Sequence, residues 1–250
     1  MRNFRDLSYL GLKPGMICRS DVLYKLSFKD KRFLKKEHNV RIVIDLRRKE
    51  EIKRLKDSHI FRVKRLHIPL ACSEIKYIEI KGLKLSDMTA FYSEFVQPSK
   101  KEIWTKLFNL FLEDNNKGIL YHCSSGKDRT GVLTAVLLTV LGFDKQTIYE
   151  DYLLTNKSPL YYKEYVLEYD EETRNIMLDY FQAKKEYLDI TFNEIDRIYG
   201  SMDNFLKECC DLDEEKIKKL KRKYLPDYKE IEEAVNTPTS ELSKKAPWND

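Results

Sequence analysis

Short β-type runs of apolar residues alternate with helical patterns in the first part of the chain, which predicts an α/β fold. Residues 40–46, 61–70 and 119–122 each form such a run and predict a strand. Ser27 and Asp30 have the spacing of a capping box and predict the start of a helix. Strands separated by helices favour a mainly parallel central sheet flanked by helices.

Helical spacing dominates the later part of the chain. From about Thr89 the apolar residues predict helices that are interrupted near Pro98. Residues 132–141 are apolar on nearly every face, as expected of a helix buried in a core. After Asp144 the predicted elements are almost all helices, so the C-terminal part of the fold should be rich in helix.

No Gly/Ser/Pro-rich linker divides the 250 residues, and no internal repeat is present. We therefore expect a single domain over residues 1–226. The segment 227–250 is polar and contains two prolines, and it is interpreted as a tail.

The most specific feature is the decapeptide His-Cys-Ser-Ser-Gly-Lys-Asp-Arg-Thr-Gly at residues 122–131, here called the signature loop. It lies between the predicted strand 119–122 and the predicted buried helix, so Cys123 follows a strand and Arg129 begins a helix. A nucleotide-binding P-loop is excluded, because that motif would need glycine in place of Tyr121 and Ser or Thr in place of Asp128.

This position suits a nucleophile and an anion. The first amides of a helix have no partner within the helix and can bind phosphate, and the same amides favour a thiolate. The planar guanidinium of Arg129 can hold two phosphate oxygens at once. Gly126 permits a tight turn, and the Thr130 hydroxyl is expected to donate to the sulfur. The expected phosphate-binding residues within the loop are Ser124, Ser125, Gly126, Lys127, Asp128, Arg129 and Thr130.

The signature loop resembles that of the cysteine-dependent protein tyrosine phosphatase superfamily, and its Gly-Lys-Asp-Arg-Thr-Gly ending resembles the atypical bacterial and fungal tyrosine/serine phosphatase family. Further matching segments occur in the same order as in that family. They are Asn3-Phe4-Arg5-Asp6-Leu7, Pro14-Gly15, Arg19-Ser20, Ile44-Asp45-Leu46-Arg47 with Glu50, and Tyr199-Gly200-Ser201 with Phe205-Leu206. The chain departs from the pattern at Ser8-Tyr9, where related proteins usually carry two glycines.

The resemblance implies a tyrosine/dual-specificity phosphatase-like fold and hydrolysis of phosphate monoesters through a cysteinyl-phosphate on Cys123, without a metal or another cofactor. Phosphotyrosine protein is the leading substrate. A phosphoinositide is the alternative within enzymes, and a catalytically silent phosphate-binding module is the alternative from another class.

The general acid is not fixed by the sequence, because the chain has no Trp-Pro-Asp tripeptide. Asp128 lies inside the signature loop, where a few related lipid phosphatases are thought to use an aspartate. Asp87 precedes a predicted helix and could be carried over the site by a mobile segment. A structural carboxylate is the other interpretation of Asp128, and a helix cap is the other interpretation of Asp87.

Lys127 and Arg47 are candidates for binding phosphate, and His122, Asp45 and Arg19 are candidates for supporting roles. Lys127 would place a second cation over the phosphate, or else be a solvated lysine. His122 is expected to be buried and to orient the loop through backbone hydrogen bonds. Asp45 lies in the predicted strand 40–46 and Arg47 follows it, and the carboxyl end of this strand should lie beside Cys123. They therefore either contact the substrate or form a buried ion pair. Arg19 is a weaker candidate of the same kind.

Composition narrows the partners. A formal charge of +5 allows acidic substrates, but no aromatic residues are interleaved with the basic cluster 216–223, so nucleic acid is not expected. No run of eighteen apolar residues predicts a membrane span. Five cysteines, an odd number, fit a reducing cytoplasm, although some relatives are secreted after removal of a leader. No His/Cys/carboxylate spacing predicts a metal site.

Overall fold

A computed structural model of the chain describes residues 1–158 and 166–226. The predicted tail 227–250 lies outside the described residues. Within them the strands are β1 (Arg5–Asp6), β2 (Ile17–Ser20), β3 (Ile42–Asp45), β4 (Lys64–His67), β5 (Tyr77–Ile80), β6 (Leu83–Ser86) and β7 (Ile119–His122).

Five strands form a central sheet in the order β1-β2-β7-β3-β4, and β5 and β6 form a separate hairpin. Only β1 runs antiparallel to its neighbour, while the pairs β2–β7, β7–β3 and β3–β4 are parallel. The predicted mainly parallel sheet is therefore confirmed.

Helices surround this sheet. The α-helices of the described residues are α1 (Phe28–Arg32), α2 (Lys49–Arg54), α3 (Met88–Glu94), α4 (Lys101–Leu112), α5 (Asp128–Leu141), α6 (Lys145–Leu153), α7 (Glu171–Phe181), α8 (Lys185–Tyr199), α9 (Met202–Glu208) and α10 (Glu214–Tyr224). All ten fit the predicted α/β class, and the part that follows α5 is helical as expected.

Side chains of each inner strand alternate between two cores, because successive strand residues point to opposite faces of a sheet. On β7, Ile119 and Tyr121 join the larger core with the buried side of α5, while Leu120 joins a smaller core. On β3, Ile44 and Val43 divide in the same way. Burial on both faces explains why these strands appear in the sequence as continuous apolar runs.

Several local predictions agree with the structure. The capping box of Ser27 and Asp30 is formed and opens α1, which continues as a π-helical turn to Glu37. The helical segment that was predicted to be interrupted near Pro98 is divided into α3 and α4 by a short turn that begins at that proline.

Two strand predictions need correction. The strand expected over 61–70 is confined to β4, Lys64–His67. The hairpin of β5 and β6 was not predicted, although its two-residue turn carries a recognisable signal. Lys81 and Gly82 both have positive φ, as the favoured hairpin turns require.

The register of the sheet brings the carboxyl ends of its strands together. Ser20 and Asp45 lie on either side of His122, and His67 lies beyond Asp45. Segments that leave these strands therefore meet around Cys123, the residue that follows β7.

Candidate active site

Cys123 lies between β7 and α5, and only 1% of its surface is exposed. The signature loop turns through residues 124–127, and α5 begins at Asp128 with Lys127 as its N-cap residue. The strand, loop and helix thus have the predicted arrangement, and the amides of the first turn of α5 begin directly after the loop.

The loop packs too tightly against β2 for any residue but glycine at position 126. Gly126 has a φ of +67°, and a Cβ placed there would lie 2.5 Å from the backbone oxygen of Ser20. The tight turn expected of this glycine is therefore combined with a close backbone approach.

Arg129 is held by a carboxylate that the sequence analysis did not single out. Its Nη1 and Nη2 donate to the two oxygens of Glu51 at 2.6 and 2.7 Å, and Ser124 Oγ donates to Glu51 Oε1 at 2.5 Å. Glu51 is on the first turn of α2, where it also accepts from the backbone amide of Arg48. That capping pattern was a local signal for Glu51, but its contact with Arg129 spans 78 residues.

The Arg129–Glu51 pair is charged despite its burial. Burial opposes ionisation of Glu51, but hydrogen bonds from Arg129 hold the pKa of this carboxyl well below its usual range. Burial likewise opposes the charge of Arg129, but the bonds to Glu51 raise the pKa of the guanidinium.

The Arg129 guanidinium makes one contact besides its bonds to Glu51 within the described residues, from Nη2 to Ser124 Oγ at 3.5 Å. Its Nε is buried and has no hydrogen-bond partner among the described residues. A buried donor without a partner is costly, and an oxygen of a bound oxyanion can satisfy it. Nε and a neighbouring Nη proton form the kind of fork that binds two oxygens.

Asp128 is fixed by a neighbouring tyrosine. Its Oδ1 accepts from Tyr92 Oη at 2.5 Å, and Tyr92 Oη lies 2.6 Å from Tyr152 Oη. Burial and the Asp128 charge raise the pKa of Tyr92 well above its usual value, so the phenol keeps its proton. Asp128 Oδ2 makes no hydrogen bond within residues 1–158 and 166–226.

Asp87 caps a helix. Its side chain accepts from the backbone amides of Thr89 and Ala90 at the start of α3, at 2.9 and 3.1 Å. The structure gives no hydrogen bond from Asp87 to the signature loop within the described residues.

Lys127 does not have the environment that we expected. It is buried, and its Nζ donates to the backbone oxygen of Phe181 at 3.0 Å, at the end of α7. Nζ also lies 3.3 Å from Asp128 Oδ1 and over the Tyr187 ring. The solvated lysine is thus excluded, and the ammonium is bound to a helix end rather than held free above the loop.

Arg47 also lies in an environment that differs from a phosphate-binding site. It is fully buried and donates to both oxygens of Asp45, at 2.9 and 2.7 Å, and to Asp57 at 2.9 Å. Arg47 and Asp45 therefore form the buried ion pair that was the alternative interpretation, and Arg47 is not available for phosphate.

His122 is buried, and its Nδ1 donates to the backbone oxygen of Cys123 at 3.0 Å. Its Nε2 lies 3.1 Å from Asp57 Oδ2. Burial opposes ionisation of Asp57, but the neighbouring His122 and Arg47 hold the pKa of this carboxyl below its usual range. Asp57 was not found from the sequence.

Arg19 supports the loop from outside. It is buried, forms an ion pair with Asp151, and donates from Nη2 to the backbone oxygen of Gly126 at 2.8 Å.

Thr130 does not form the expected bond to the sulfur. Its hydroxyl is buried without a hydrogen-bond partner in the described part of the chain.

Two groups of metal-ligating side chains occur in residues 1–158 and 166–226. Asp45, Asp57 and His122 form one, and Asp6, Cys18 and His38 form the other. The carboxylates of the first are bonded to Arg47, and Asp6 accepts from His38 and from backbone amides. These acceptors are already used by protein donors.

A sequence model described as the tyrosine phosphatase family matches residues 1–226, so the chain belongs to this family. A Cupriavidus necator protein named as a tyrosine-protein phosphatase is 31% identical over 100 residues, which is 39% of this chain and 37% of that protein. The triple specificity protein phosphatase PtpB of Mycobacterium tuberculosis is 31% identical over 104 residues, 36% of this chain and 38% of PtpB. The matches thus span well under half of either relative.

Two solved structures are also similar. The catalytic domain of the Saccharomyces cerevisiae PP-IP phosphatase Siw14 aligns with 74% of this chain and 93% of its own, at 15% identity and a TM-score of 0.35. A second Siw14 catalytic core aligns with 78% of this chain and 92% of its own, at 16% identity and 0.40. Among the described residues, no helix combines the length and hydrophobicity needed to cross a membrane.

Asp21 is a buried carboxyl beside the loop that the sequence did not reveal. Its Oδ1 accepts from the backbone amide of Arg2 at 2.9 Å, and the next residue, Val22, donates its amide to Ser124 O at 3.1 Å. Burial raises the pKa of the Asp21 carboxyl to about 6.

We expect Asp21→Asn to stabilise the protein above pH 6. The folded-state pKa exceeds the unfolded value of about 3.9, so the wild type loses stability as pH rises from about 4 to 6. The amide keeps an acceptor for Arg2 without this loss, so the variant should gain about 2 to 3 kcal/mol at pH 7 and little at pH 4. Urea unfolding at both pH values measures this. The exposed Asp196→Asn is the control, and a gain that does not depend on pH would contradict the assignment.

Proposed function

We propose that the chain is a metal-independent phosphatase that hydrolyses phosphotyrosine, and also phosphoserine and phosphothreonine, through a cysteinyl-phosphate on Cys123. The observation that carries this proposal is Arg129, whose guanidinium is fixed by Glu51. Its buried Nε has no partner in the described part of the chain and lies beside the helix N-terminus that follows Cys123. Membership of the tyrosine phosphatase family supports it.

In the first step the Cys123 thiolate attacks phosphorus in line with the leaving oxygen. The S–P bond forms as the bond from phosphorus to the tyrosine oxygen breaks, and a carboxylic acid donates its proton to that oxygen. Arg129 and the loop amides bind the three equatorial oxygens, on which charge accumulates in the transition state.

In the second step water attacks the phosphorus of the cysteinyl-phosphate. The S–P bond breaks, the thiolate is restored, and inorganic phosphate leaves. The carboxylate that acted as an acid in the first step takes the proton of the water in the second. The cycle balances without an oxidant, a metal or another co-reactant.

Asp128 is the better candidate for this acid. Tyr92 fixes Asp128 through Oδ1, and Oδ2 is not engaged by any described residue, so one oxygen is positioned and the other can exchange a proton. Asp87 uses its side chain to cap α3. Because Asp128 is within the signature loop and Asp87 is not, Asp128 needs no movement of a separate segment.

Phosphotyrosine is the leading substrate, and the surroundings of Lys127 disfavour a phosphoinositide. A second cation over the phosphate would suit a substrate that carries more than one phosphate, but Lys127 Nζ instead bonds to Phe181 O and contacts Asp128. A silent phosphate-binding module is disfavoured because the nucleophile, the arginine and an acid all lie in one loop.

We also propose that residues 1–226 act as one domain in a reducing compartment such as the cytoplasm. The family match spans these residues. All five cysteines are free and buried, and none forms a disulfide. A thiolate nucleophile requires such conditions to stay reduced.

Cys123→Ser should lower turnover of para-nitrophenyl phosphate by at least ~10³-fold, because a serine hydroxyl is a far weaker nucleophile than a thiolate. Binding of inorganic phosphate, measured by calorimetry, should persist. Cys72→Ser is the matched control, since Cys72 is also buried but lies outside the loop, and it should retain turnover. Undiminished turnover by Cys123→Ser would refute the mechanism.

Asp128→Asn should lower kcat for phenyl phosphate, which has a poor leaving group, by about 10² to 10⁴-fold and should affect para-nitrophenyl phosphate much less. Asp87→Asn is the matched variant. Asparagine caps helices as well as aspartate does, so α3 should keep its start and both substrates should be turned over normally. If Asp128→Asn slowed both substrates equally, Asp128 would not be the acid.

Turnover of a phosphotyrosine peptide, a phosphoserine peptide and a phosphoinositide should be compared at equal concentration. We expect the phosphotyrosine peptide to have the highest kcat/KM, because Lys127 is bound to α7 and does not complement an additional phosphate. Lys127→Met should then leave the order of the three substrates unchanged. The assignment of phosphotyrosine as the leading substrate would be reversed if the phosphoinositide were turned over fastest and its rate depended on Lys127.

A further inference from the structure

The backbone amides of the signature loop must be held toward the phosphate side if they are to bind an oxyanion. In a planar trans peptide the N–H and the C=O point in opposite directions. The carbonyl of Ser125 shares its peptide with the amide of Gly126, and the carbonyl of Gly126 shares its peptide with the amide of Lys127. Donors that hold these two carbonyls outward therefore aim the two amides at the phosphate side.

Asn3 supplies such donors. Its Nδ2 donates to Ser125 O at 3.0 Å and to Gly126 O at 3.1 Å, and the side chain is buried. Arg19 adds a second donor to Gly126 O at 2.8 Å. The two successive carbonyls at the turn of the loop are thus both held from outside by side chains.

Asn3 is itself oriented by its neighbours. Arg5 Nη1 donates to Asn3 Oδ1, which fixes the side-chain amide with its nitrogen toward the loop. The backbone amide of Asn3 donates to Ser158 Oγ at 2.8 Å. Its φ of 51° lies in the left-handed region, which asparagine adopts more readily than most residues. This local conformation is strained, and contacts on both sides of the residue maintain it.

We propose that Asn3 is a positioning residue that sets the orientation of the Ser125–Gly126 and Gly126–Lys127 peptides, and thereby the oxyanion affinity of the loop and the reactivity of Cys123. This gives the Asn3-Phe4-Arg5-Asp6 segment a function through its first and third residues. The link to turnover rests on the proposed phosphatase activity, but the effects on oxyanion binding and thiol reactivity do not.

Asn3→Asp tests this with almost no change of shape. The carboxylate keeps an acceptor for Arg5 but has no proton for the loop carbonyls, and it adds a negative charge behind the loop. Asn39→Asp is the matched control, because Asn39 also has a left-handed φ, of 50°, and makes no side-chain hydrogen bond to the loop. Asn3→Ala is a second variant that removes the donor without adding a charge.

Two measurements do not need turnover. Tungstate affinity by calorimetry should fall by about tenfold or more in both Asn3 variants, as expected for the loss of two oriented amides. The pH midpoint of iodoacetamide alkylation at Cys123 should move upward, because the thiolate loses the same amides. With para-nitrophenyl phosphate, kcat/KM should fall with the tungstate affinity. Asn39→Asp should match the wild type in all three measurements.

Folded Asn3 variants with wild-type tungstate affinity and an unchanged alkylation midpoint would overturn the proposal, since a merely structural role predicts that result. If Asn3→Asp does not fold, the same comparison is made with Asn3→Ala. If the wild type binds tungstate and is alkylated but hydrolyses no phosphate monoester, the proposed function fails, while both measurements still decide the role of Asn3.

Discussion

The site depends most on the contacts of one buried carboxylate, that of Asp151. It accepts from Arg5 at 3.0 Å and from Tyr9 at 2.6 Å, and it forms an ion pair with Arg19. Burial would raise the pKa of Asp151, but Arg19 and Arg5 hold it below its usual range. One anion on α6 therefore keeps two buried cations in place, and those cations orient Asn3 and the Gly126 carbonyl. Removing Asp151 would leave two buried guanidinium groups without their anion, which is among the most costly defects in a protein.

The site thus has two layers with different tasks. The inner layer contains the groups that would meet a phosphate, namely Cys123, Arg129 and the loop amides. The outer layer contains Asn3, Arg19 and Glu51, which have no direct access to phosphorus in the proposed reaction but set the direction of the inner groups. Side chains that are already fixed in the free protein lose little further conformational entropy when a substrate binds. The support from the outer layer therefore favours a site that is organised before the substrate arrives.

Features that depend on neighbouring residues in the chain can be predicted from the sequence, whereas features that depend on contacts between distant segments cannot. The strand, loop and helix around Cys123 follow from apolar runs and a contiguous motif, and they were predicted. The roles of Glu51, Asp57 and Asp151 could not be predicted because their contacts join segments far apart in the chain. The capping pattern of α2 marks Glu51 only as a helix-start residue and does not indicate its contact with Arg129. Lys127 was predicted over the phosphate because its position in the motif is known from the sequence, whereas the direction of its side chain depends on α7. The hairpin of β5 and β6 differs from these residues, because its Lys81-Gly82 turn is a local signal in the sequence.

The electrostatic balance of the site explains why the outer layer matters. Arg129 is the cation that binds the phosphate in the proposed mechanism, but Glu51 neutralises much of its field. Lys127 is bound to the carbonyl end of α7, where a cation stabilises the helix. A phosphate dianion beside the Cys123 thiolate therefore meets little net positive charge from side chains. The remaining favourable field comes from the oriented amides of the loop and the first turn of α5, whose contribution depends on direction. A loop that relies on dipoles rather than net charge needs its peptides fixed, and Asn3 and Arg19 supply that constraint from the side opposite the phosphate.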